Sequence, residues 1–143
     1  MPGMQRLIFD HDYAMPPERV FAYLSEHENL DDIFGARITR LRDGTDGHRN
    51  GVGSARELKV GPTRPFEETV TEFVPNELIT YEITKGSPLK NHRGEMRFTT
   101  EGEGTHLHYE ISFGSKLPGV DLIVAQGLKR NVAKGLAGVE TRA

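Results

Sequence analysis

Alternating hydrophobic and polar positions dominate this chain, and they predict a protein built mainly from β-strands. The first alternating segment spans about residues 5–13 and places Leu7, Phe9 and His11 on one side. From residue 36 onward the alternation returns in six segments, separated by turn signals such as Asp-Gly, Gly-Pro and Pro-Asn. We expect these further strands at about 36–42, 52–60, 65–74, 77–85, 92–100 and 105–114.

Helical spacing replaces the alternation in two short segments after the first strand. Residues 15–26 contain Pro16 and Pro17, which suit a helix start because an N–H in the first turn has no intrahelical partner. An apolar stripe with helical spacing follows them. The next segment has the sequence ENLDDIFG and ends at Gly35, a residue type that commonly terminates helices.

A long amphipathic helix is predicted over residues 118–142. Its apolar positions recur at helical spacing, so it needs an apolar surface to pack against. The residues that we expect to be largely buried are Ile123, Val124, Leu128 and Leu136. Gly127 and Gly135 lie on or near this stripe, and two explanations stay open. The two glycines allow close packing of the helix on the sheet, or they leave room for a molecule bound between helix and sheet.

The order of these elements predicts an α+β protein. One strand, two short helices, a six-strand meander and a long helix can bury their apolar faces against one another. A seven-stranded antiparallel sheet would curve around the C-terminal helix. The length of 143 residues suits one domain, so we expect a single domain over residues 1–143.

Composition excludes several classes of protein. The net charge of -3 gives no nucleic-acid footprint. The absence of Cys excludes disulfides, thiolate zinc sites and a Cys nucleophile. No apolar run approaches the roughly 20 residues of a membrane span, and MPGMQ leads directly into a strand without a signal-peptide pattern. We therefore expect a cytoplasmic protein.

Two charged residues share the inward side of a predicted hairpin with aliphatic residues. Arg56 alternates with Leu58, and Glu68 alternates with Val70. Charges on a core face are unfavourable unless they are paired, hydrated or used on a ligand, so this hairpin suggests one wall of a polar cavity. A turn at about 61–65 would place Leu58 opposite Glu68, with Arg56 one step diagonal. The alternatives are a structural salt bridge at one end of the cavity, or a register with both side chains outside.

Aromatic residues and one histidine complete the predicted ligand-binding set. Tyr81 and Tyr109 are expected to face inward, where they would contact a ligand or pack with satisfied hydroxyls. His92 shares a face with Phe98 and would act as a general base or lie at the solvent-exposed rim. The predicted ligand-binding residues are Arg56, Leu58, Glu68, Val70, Tyr81, His92, Phe98 and Tyr109.

Three further histidines carry weaker signals. His27 lies between the two short helices, where it would cap a helix end or line a cavity entrance. His106 and His108 have a spacing that can chelate a metal, but the sequence shows no third ligand, so a solvated outer face is the preferred interpretation.

The glycines of NGVGS do not precede a helix, so they are not a dinucleotide-binding motif. No other motif indicates a metal or nucleotide cofactor.

Four segments together carry a resemblance to a known family, and they are PPERVFAYLSEHENL, NGVGSAREL, FEETVTEFVPNELITYEI and GTHLHYEISF. Through these segments the sequence resembles the START-like superfamily of helix-grip folds, also called SRPBCC. Its closest likeness is to the polyketide cyclase/dehydrase and lipid-transport group. The resemblance implies a ligand cavity between the sheet and the long helix.

Three functions are compatible with this pattern. The first is binding of a small hydrophobic or aromatic molecule, such as a polyketide, lipid or isoprenoid fragment, in that cavity. The second is a cyclase or dehydratase that uses acid/base groups in the same cavity. The third is a protein-interaction role like that of the chaperone-ATPase activators of the same superfamily, which predicts an exposed apolar or charged patch and a poorly formed cavity. The sequence leaves the choice between monomer and dimer open.

Overall fold

A computed structural model describes residues 4–143 as one antiparallel sheet of seven strands with three α-helices. The strands are β1 Gln5–Tyr13, β2 Arg37–Arg42, β3 Ala55–Lys59, β4 Phe66–Val74, β5 Leu78–Lys85, β6 Leu89–Glu101 and β7 Gly104–Ser115. The helices are α1 Pro17–Ser25, α2 Asp31–Phe34 and α3 Val120–Arg142, with a 3-10 turn over His27–Asn29. Residues 1–3 of the predicted domain lie outside the described residues.

The strand order confirms the predicted helix-grip arrangement. Strands β2 to β7 pair with their neighbours in sequence, and β1 closes the order by pairing with β7. The sheet therefore runs β1-β7-β6-β5-β4-β3-β2. Alternate residues of the central strands are buried, as in β7, where Leu107, Tyr109, Ile111 and Phe113 face the core.

The short helices begin and end where their sequence signals predict. Pro17 is the first residue of α1 and needs no intrahelical partner for a backbone N–H. Gly35 ends α2 with a φ of 63°, a left-handed conformation that glycine adopts without a side-chain clash. Phe34, the last residue of α2, is buried against the sheet.

The buried stripe of α3 differs in part from the prediction. Leu136 is buried as expected, but Val124 and Leu128 are only half-buried and Ile123 is 75% exposed. The buried stripe runs through Ala125, Val132, Gly135, Leu136 and Val139. Because Ile123 precedes Ala125 by two residues, it lies on the opposite side of the helix. The expectation that Ile123 is buried was wrong.

The two glycines of α3 have different surroundings. A Cβ at Gly135 would lie 2.6 Å from the carbonyl oxygen of Asp32 and 2.7 Å from Cα of Ile33, so this glycine lets α2 pack closely against α3. A Cβ at Gly127 would have no atom within 4 Å among its described neighbours. Close packing therefore explains Gly135, whereas open space lies beside Gly127.

The two ends of the sheet are closed to different degrees. At one end α1 covers the core, where the ring of Phe21 lies 5.2 Å from that of Phe73 and 5.1 Å from that of Phe98. The other end carries the β3–β4 and β5–β6 turns and the start of α3. The half-buried apolar residues at this end, which we call the apolar rim, are Phe66, Leu89, Val124 and Leu128.

Candidate functional site

A buried ion pair between Arg56 and Glu68 lies on the concave face of the sheet. Nε and Nη2 of Arg56 donate to Oε1 of Glu68 at 2.9 Å and 2.8 Å. The two residues are 3% and 4% exposed. They lie directly opposite each other, and Leu58 pairs with Phe66 rather than with Glu68 as predicted. The hairpin centres on Pro62 instead of Thr63, which moves the pairing by two residues.

Aromatic rings cover the guanidinium group of Arg56. Its Cζ lies 4.8 Å from the ring centroid of Tyr81 and 5.4 Å from that of Phe34. Both distances lie within the range of cation–π attraction, which gains strength when water is excluded. The ion pair is therefore formed between β3 and β4 and covered by α2 and β5, so four elements fix its geometry.

The second carboxylate oxygen of Glu68 has a different environment. Oε2 accepts no hydrogen bond from a residue in the described range 4–143, and Nε2 of His92 lies 3.9 Å from it. The backbone N–H of Ile83 donates to Nδ1 of His92 at 3.0 Å, which places the ring proton of neutral His92 on Nε2. Burial lowers the pKa of His92, so this neutral form is favoured. A carboxylate acceptor and an imidazole N–H donor thus lie side by side.

Two tyrosines meet next to this pair. The hydroxyl groups of Tyr81 and Tyr109 form a hydrogen bond across the concave face. Gly94 makes the contact possible, because a Cβ at this position would overlap the ring of Tyr81. Burial raises the pKa of both phenols well above the ordinary value, so both remain neutral hydrogen-bonding groups.

His27 is fully buried near the start of β3. The hydroxyl of Ser54 donates to the carbonyl of Gly51 at 2.7 Å, so its oxygen is left to accept from Nε2 of His27 at 3.0 Å. Nδ1 of His27 then carries a lone pair, and it is the one buried side-chain polar atom without a partner among residues 4–143. Burial, followed by the charges of Arg56 and Arg40, lowers the pKa of His27 to about 3. His27 lies between the two short helices as predicted from the sequence, and its side chain binds Ser54.

The predicted site residues divide into two groups. Arg56, Glu68, Tyr81, His92 and Tyr109 form one contiguous polar cluster, which we call the inner polar cluster. The remaining predicted residues are the buried aliphatic neighbours Leu58 and Val70, together with Phe98, which packs on α1 away from the cluster.

Glu72, the third acidic residue of β4, does not lie on the concave face. Glu72 shares sequence parity with Glu68, but a register shift between Val70 and Glu72 turns it outward. There it forms an ion pair with Arg93.

The structure does not confirm a preformed cavity of several hundred Å³ between helix and sheet. The side chains that were expected to line it, among them Tyr81, Val70 and Leu58, are at most 3% exposed and pack in the core. A groove of about 200 Å³ lies instead beside the β4–β5 turn. Its lining residues are Val74, Glu77, Leu78, Arg97, Phe98 and Thr99. Phe98 is thus the one predicted wall residue that lines this groove.

Comparison with known proteins places this geometry in a family. The family described as polyketide cyclase / dehydrase and lipid transport matches residues 6–143. The chain belongs to this family. The predicted START-like, or SRPBCC, membership is thereby confirmed. A search of curated proteins gives no match.

Solved structures share the fold of this family member at low sequence identity. A START superfamily protein from Mycobacterium smegmatis is 20% identical with a TM-score of 0.75, covering 98% of this chain and 97% of the other. The Zhui aromatase/cyclase from Streptomyces sp. R1128 is 18% identical with a TM-score of 0.70, over 97% and 90% of the two chains. Norcoclaurine synthase from Thalictrum flavum, solved with dopamine and hydroxybenzaldehyde, is 12% identical with a TM-score of 0.71, over 99% and 86%. At these identities the likeness shows the fold alone.

Two residues near the inner polar cluster of this family member escaped the sequence analysis. Phe34 covers Arg56, and Ser54 binds His27. The sequence marks Phe34 only as part of the apolar pair before Gly35, and it marks Ser54 only as a polar residue before β3. Neither signal indicates a partner, because the contacts join segments that are distant in sequence.

No helix among residues 4–143 is both long and apolar enough to cross a membrane.

Proposed function

We propose that this protein binds a small, mainly apolar or aromatic molecule that carries a hydroxyl or carbonyl group. The molecule would lie between the concave face of the sheet and the first half of α3. A hydroxyl group would accept from Nε2 of His92 and donate to Oε2 of Glu68, whereas a carbonyl group would accept from Nε2 of His92 alone. Aromatic and aliphatic side chains would surround the apolar part of the molecule.

The inner polar cluster carries this proposal. Oε2 of Glu68 and Nε2 of His92 form no hydrogen bond within residues 4–143 and lie 3.9 Å apart, in residues that are 4% and 8% exposed. A hydroxyl group could accept from the imidazole and donate to the carboxylate at the same time. Ligand sites of this kind combine apolar walls with a few polar groups that fix orientation.

The start of α3 provides the route by which such a molecule would enter. The first half of this helix buries only Ala125 fully, while Leu122 and Ile123 are exposed and open space lies beside Gly127. The apolar rim lies at the same end of the sheet. Because few side chains anchor this half of the helix, it can move away from the sheet at a lower cost than the half around Leu136.

The same groups favour binding over acid/base catalysis. Nδ1 of His92 is occupied by the backbone N–H of Ile83, and Oε1 of Glu68 is occupied by Arg56. Tyr81 and Tyr109 stay neutral because burial raises the pKa of each phenol. The family description and the aromatic, oxygen-bearing ligands named for norcoclaurine synthase support the proposed class of molecule.

A protein-interaction role is the second candidate, and one observation favours it. Leu117, Leu122 and Ile123 are each more than half exposed around the start of α3. An exposed apolar patch without a preformed cavity is the pattern that this role predicts. The two candidates differ in what the purified protein should carry, so one experiment can separate them.

Native mass spectrometry of the purified protein tests the proposal. We expect a noncovalent adduct of a few hundred daltons that collisional activation removes, in keeping with one small molecule per chain. Glu68→Gln should reduce the adduct, whereas the matched control Glu72→Gln, on the outward side of the same strand, should retain it. Adduct levels that are equal in wild type and Glu68→Gln would contradict the proposed site. A protein without adduct that also fails to retain added 2-naphthol would contradict small-molecule binding and leave the interaction role.

A further inference from the structure

Two histidines and an aspartate converge on the outer face of the sheet, away from the inner polar cluster. His106 and His108 are two residues apart in β7, so their side chains lie on the same face. Asp10 of β1 pairs directly with His108 in the strand register. Oδ1 of Asp10 lies 2.9 Å from Nε2 of His106 and 2.7 Å from Nδ1 of His108. The structure thus supplies the third ligand that the sequence did not show.

The second nitrogen of each imidazole is held by another carboxylate. Oδ1 of Asp12 lies 2.6 Å from Nδ1 of His106, and Oε2 of Glu110 lies 2.9 Å from Nε2 of His108. This is the arrangement found around protein metals, where a carboxylate accepts the remaining N–H of a ligating histidine and fixes the ring orientation. One donor atom from each of Asp10, His106 and His108 lies within 4.8 Å of the other two.

We propose that Asp10, His106 and His108 form a surface site for a borderline divalent cation such as Zn²⁺. Two imidazole nitrogens and one carboxylate oxygen suit Zn²⁺, Co²⁺ or Ni²⁺, whereas Mg²⁺ and Ca²⁺ prefer oxygen ligands alone. Three protein ligands leave at least one position for water. The ion would join β1 to β7, and the site stands independently of the ligand proposed for the concave face.

The imidazole ligands make the affinity depend on pH, because a metal ion binds only an imidazole nitrogen that carries no proton. Further charged groups on this face include Arg93, Glu95, Arg97 and Glu101 of β6, and Arg6 of β1, which is bound to Glu110. Since a metal ion replaces the imidazole protons, binding should weaken as the pH falls.

Isothermal titration calorimetry of the tag-free, chelator-treated protein tests the site. With ZnCl₂ at pH 7.5 we expect saturable binding of one ion, and with MgCl₂ no binding. The double variant His106→Gln, His108→Gln should lose at least tenfold in Zn²⁺ affinity, and Asp12→Asn should lose about tenfold through ring orientation. The control His48→Gln alters an exposed histidine of the β2–β3 connection and should bind like wild type.

The wild-type protein alone provides a second test that does not depend on the folding of a variant. Zn²⁺ affinity should fall at least tenfold between pH 7.5 and pH 5.5. Affinity that is unchanged over this pH range, absence of saturable Zn²⁺ binding at pH 7.5, or equal Zn²⁺ affinity in wild type and a folded double variant would each overturn the site.

Discussion

Arg56 and Glu68 bring two charges into a face that otherwise consists of aliphatic and aromatic side chains. Each charge loses hydration on burial, and their mutual attraction offsets this loss only while both partners are present. The rings of Tyr81 and Phe34 exclude water from the guanidinium group and strengthen its interactions. Substitution of either residue therefore destabilises the protein mainly because the charge of the other residue stays buried without a partner.

Substitution of Arg56 should show the size of this effect. Arg56→Leu leaves Glu68 buried without its partner and should lower the free energy of unfolding by about 3–5 kcal/mol. Chemical denaturation followed by circular dichroism measures this loss. The double variant Arg56→Leu, Glu68→Leu removes both charges and should be more stable than the single variant. A double variant that is less stable than Arg56→Leu would show that the pair does not act as a unit.

The buried His27 predicts a distinct pH dependence of stability. Its pKa is about 3 in the folded protein, against an ordinary value of 6.5, so the unfolded chain binds the proton more readily. The stabilisation from neutral His27 is complete above pH 6.5 and is lost as the pH falls from 6.5 towards 3. Between pH 7.5 and pH 5 the loss should amount to about 2 kcal/mol.

Thermal and urea unfolding of wild type and His27→Gln at both pH values would reveal this loss. The variant lacks the titrating ring, so its stability should fall less between pH 7.5 and pH 5 than that of wild type. His48→Gln serves as the control because His48 is exposed. Equal pH dependence in wild type and His27→Gln would contradict a buried neutral His27.

The sequence predicted which residues face inward better than it predicted their partners. Strand parity placed Arg56 and Glu68 on one face, since parity depends only on alternation within each strand. The register of the hairpin depends on turn geometry, and a shift of the turn centre by one residue changed the partner of Glu68 from Leu58 to Arg56. Contacts such as those of Phe34 and Ser54 depend on tertiary packing, for which a single sequence gives no local signal.

At the scale of elements, α3 is a helix with two unlike halves. Its second half packs against α2 and β1, with Leu136 buried and its carbonyl bound by the hydroxyl of Tyr13 at 2.8 Å. Its first half carries the exposed Leu122 and Ile123. Periodicity predicted the helix and its amphipathic character, but the angular position of the buried stripe depends on the surface that the helix meets.

The two glycines of α3 provide a matched test of this difference. Gly127→Ala should stabilise the protein by up to about 1 kcal/mol, because alanine favours the helix and the new Cβ meets open space. Gly135→Ala should destabilise it by about 1–3 kcal/mol, because the new Cβ would press on the backbone of Asp32 and Ile33. Urea denaturation of both variants measures the difference, and equal effects would contradict the close approach of α2 and α3.

Side-chain truncation in the same helix should follow the same division. Leu136→Ala should lower the free energy of unfolding by about 2–5 kcal/mol, the usual range for a fully buried leucine. Ile123→Ala should change it by less than about 0.5 kcal/mol, because the side chain is already in water. A loss at Ile123 comparable with that at Leu136 would show that the start of α3 is covered in solution.

At the scale of the whole molecule, the sheet separates two polar clusters of different character. The inner polar cluster lies on the concave face among aromatic rings, and the cluster of Asp10, His106 and His108 lies on the outer face. Element order predicted the fold, because seven alternating strands and one amphipathic helix have few ways to bury their apolar faces. The space inside the fold depends on side-chain packing and was not predictable from that order.

Binding of a small, mainly apolar or aromatic molecule to the concave face is the central claim, and a titration of ¹⁵N-labelled protein with the aromatic alcohol 2-naphthol tests it most directly. The amide resonances of β4, β6 and the first half of α3 should shift in a saturable manner, with the largest changes near Glu68, His92 and Gly127. Naphthalene, which lacks the hydroxyl, should bind more weakly to wild type, and Glu68→Gln should remove most of this difference. Absence of saturable shifts, or shifts confined to the exposed patch of Leu117, Leu122 and Ile123, would contradict the claim.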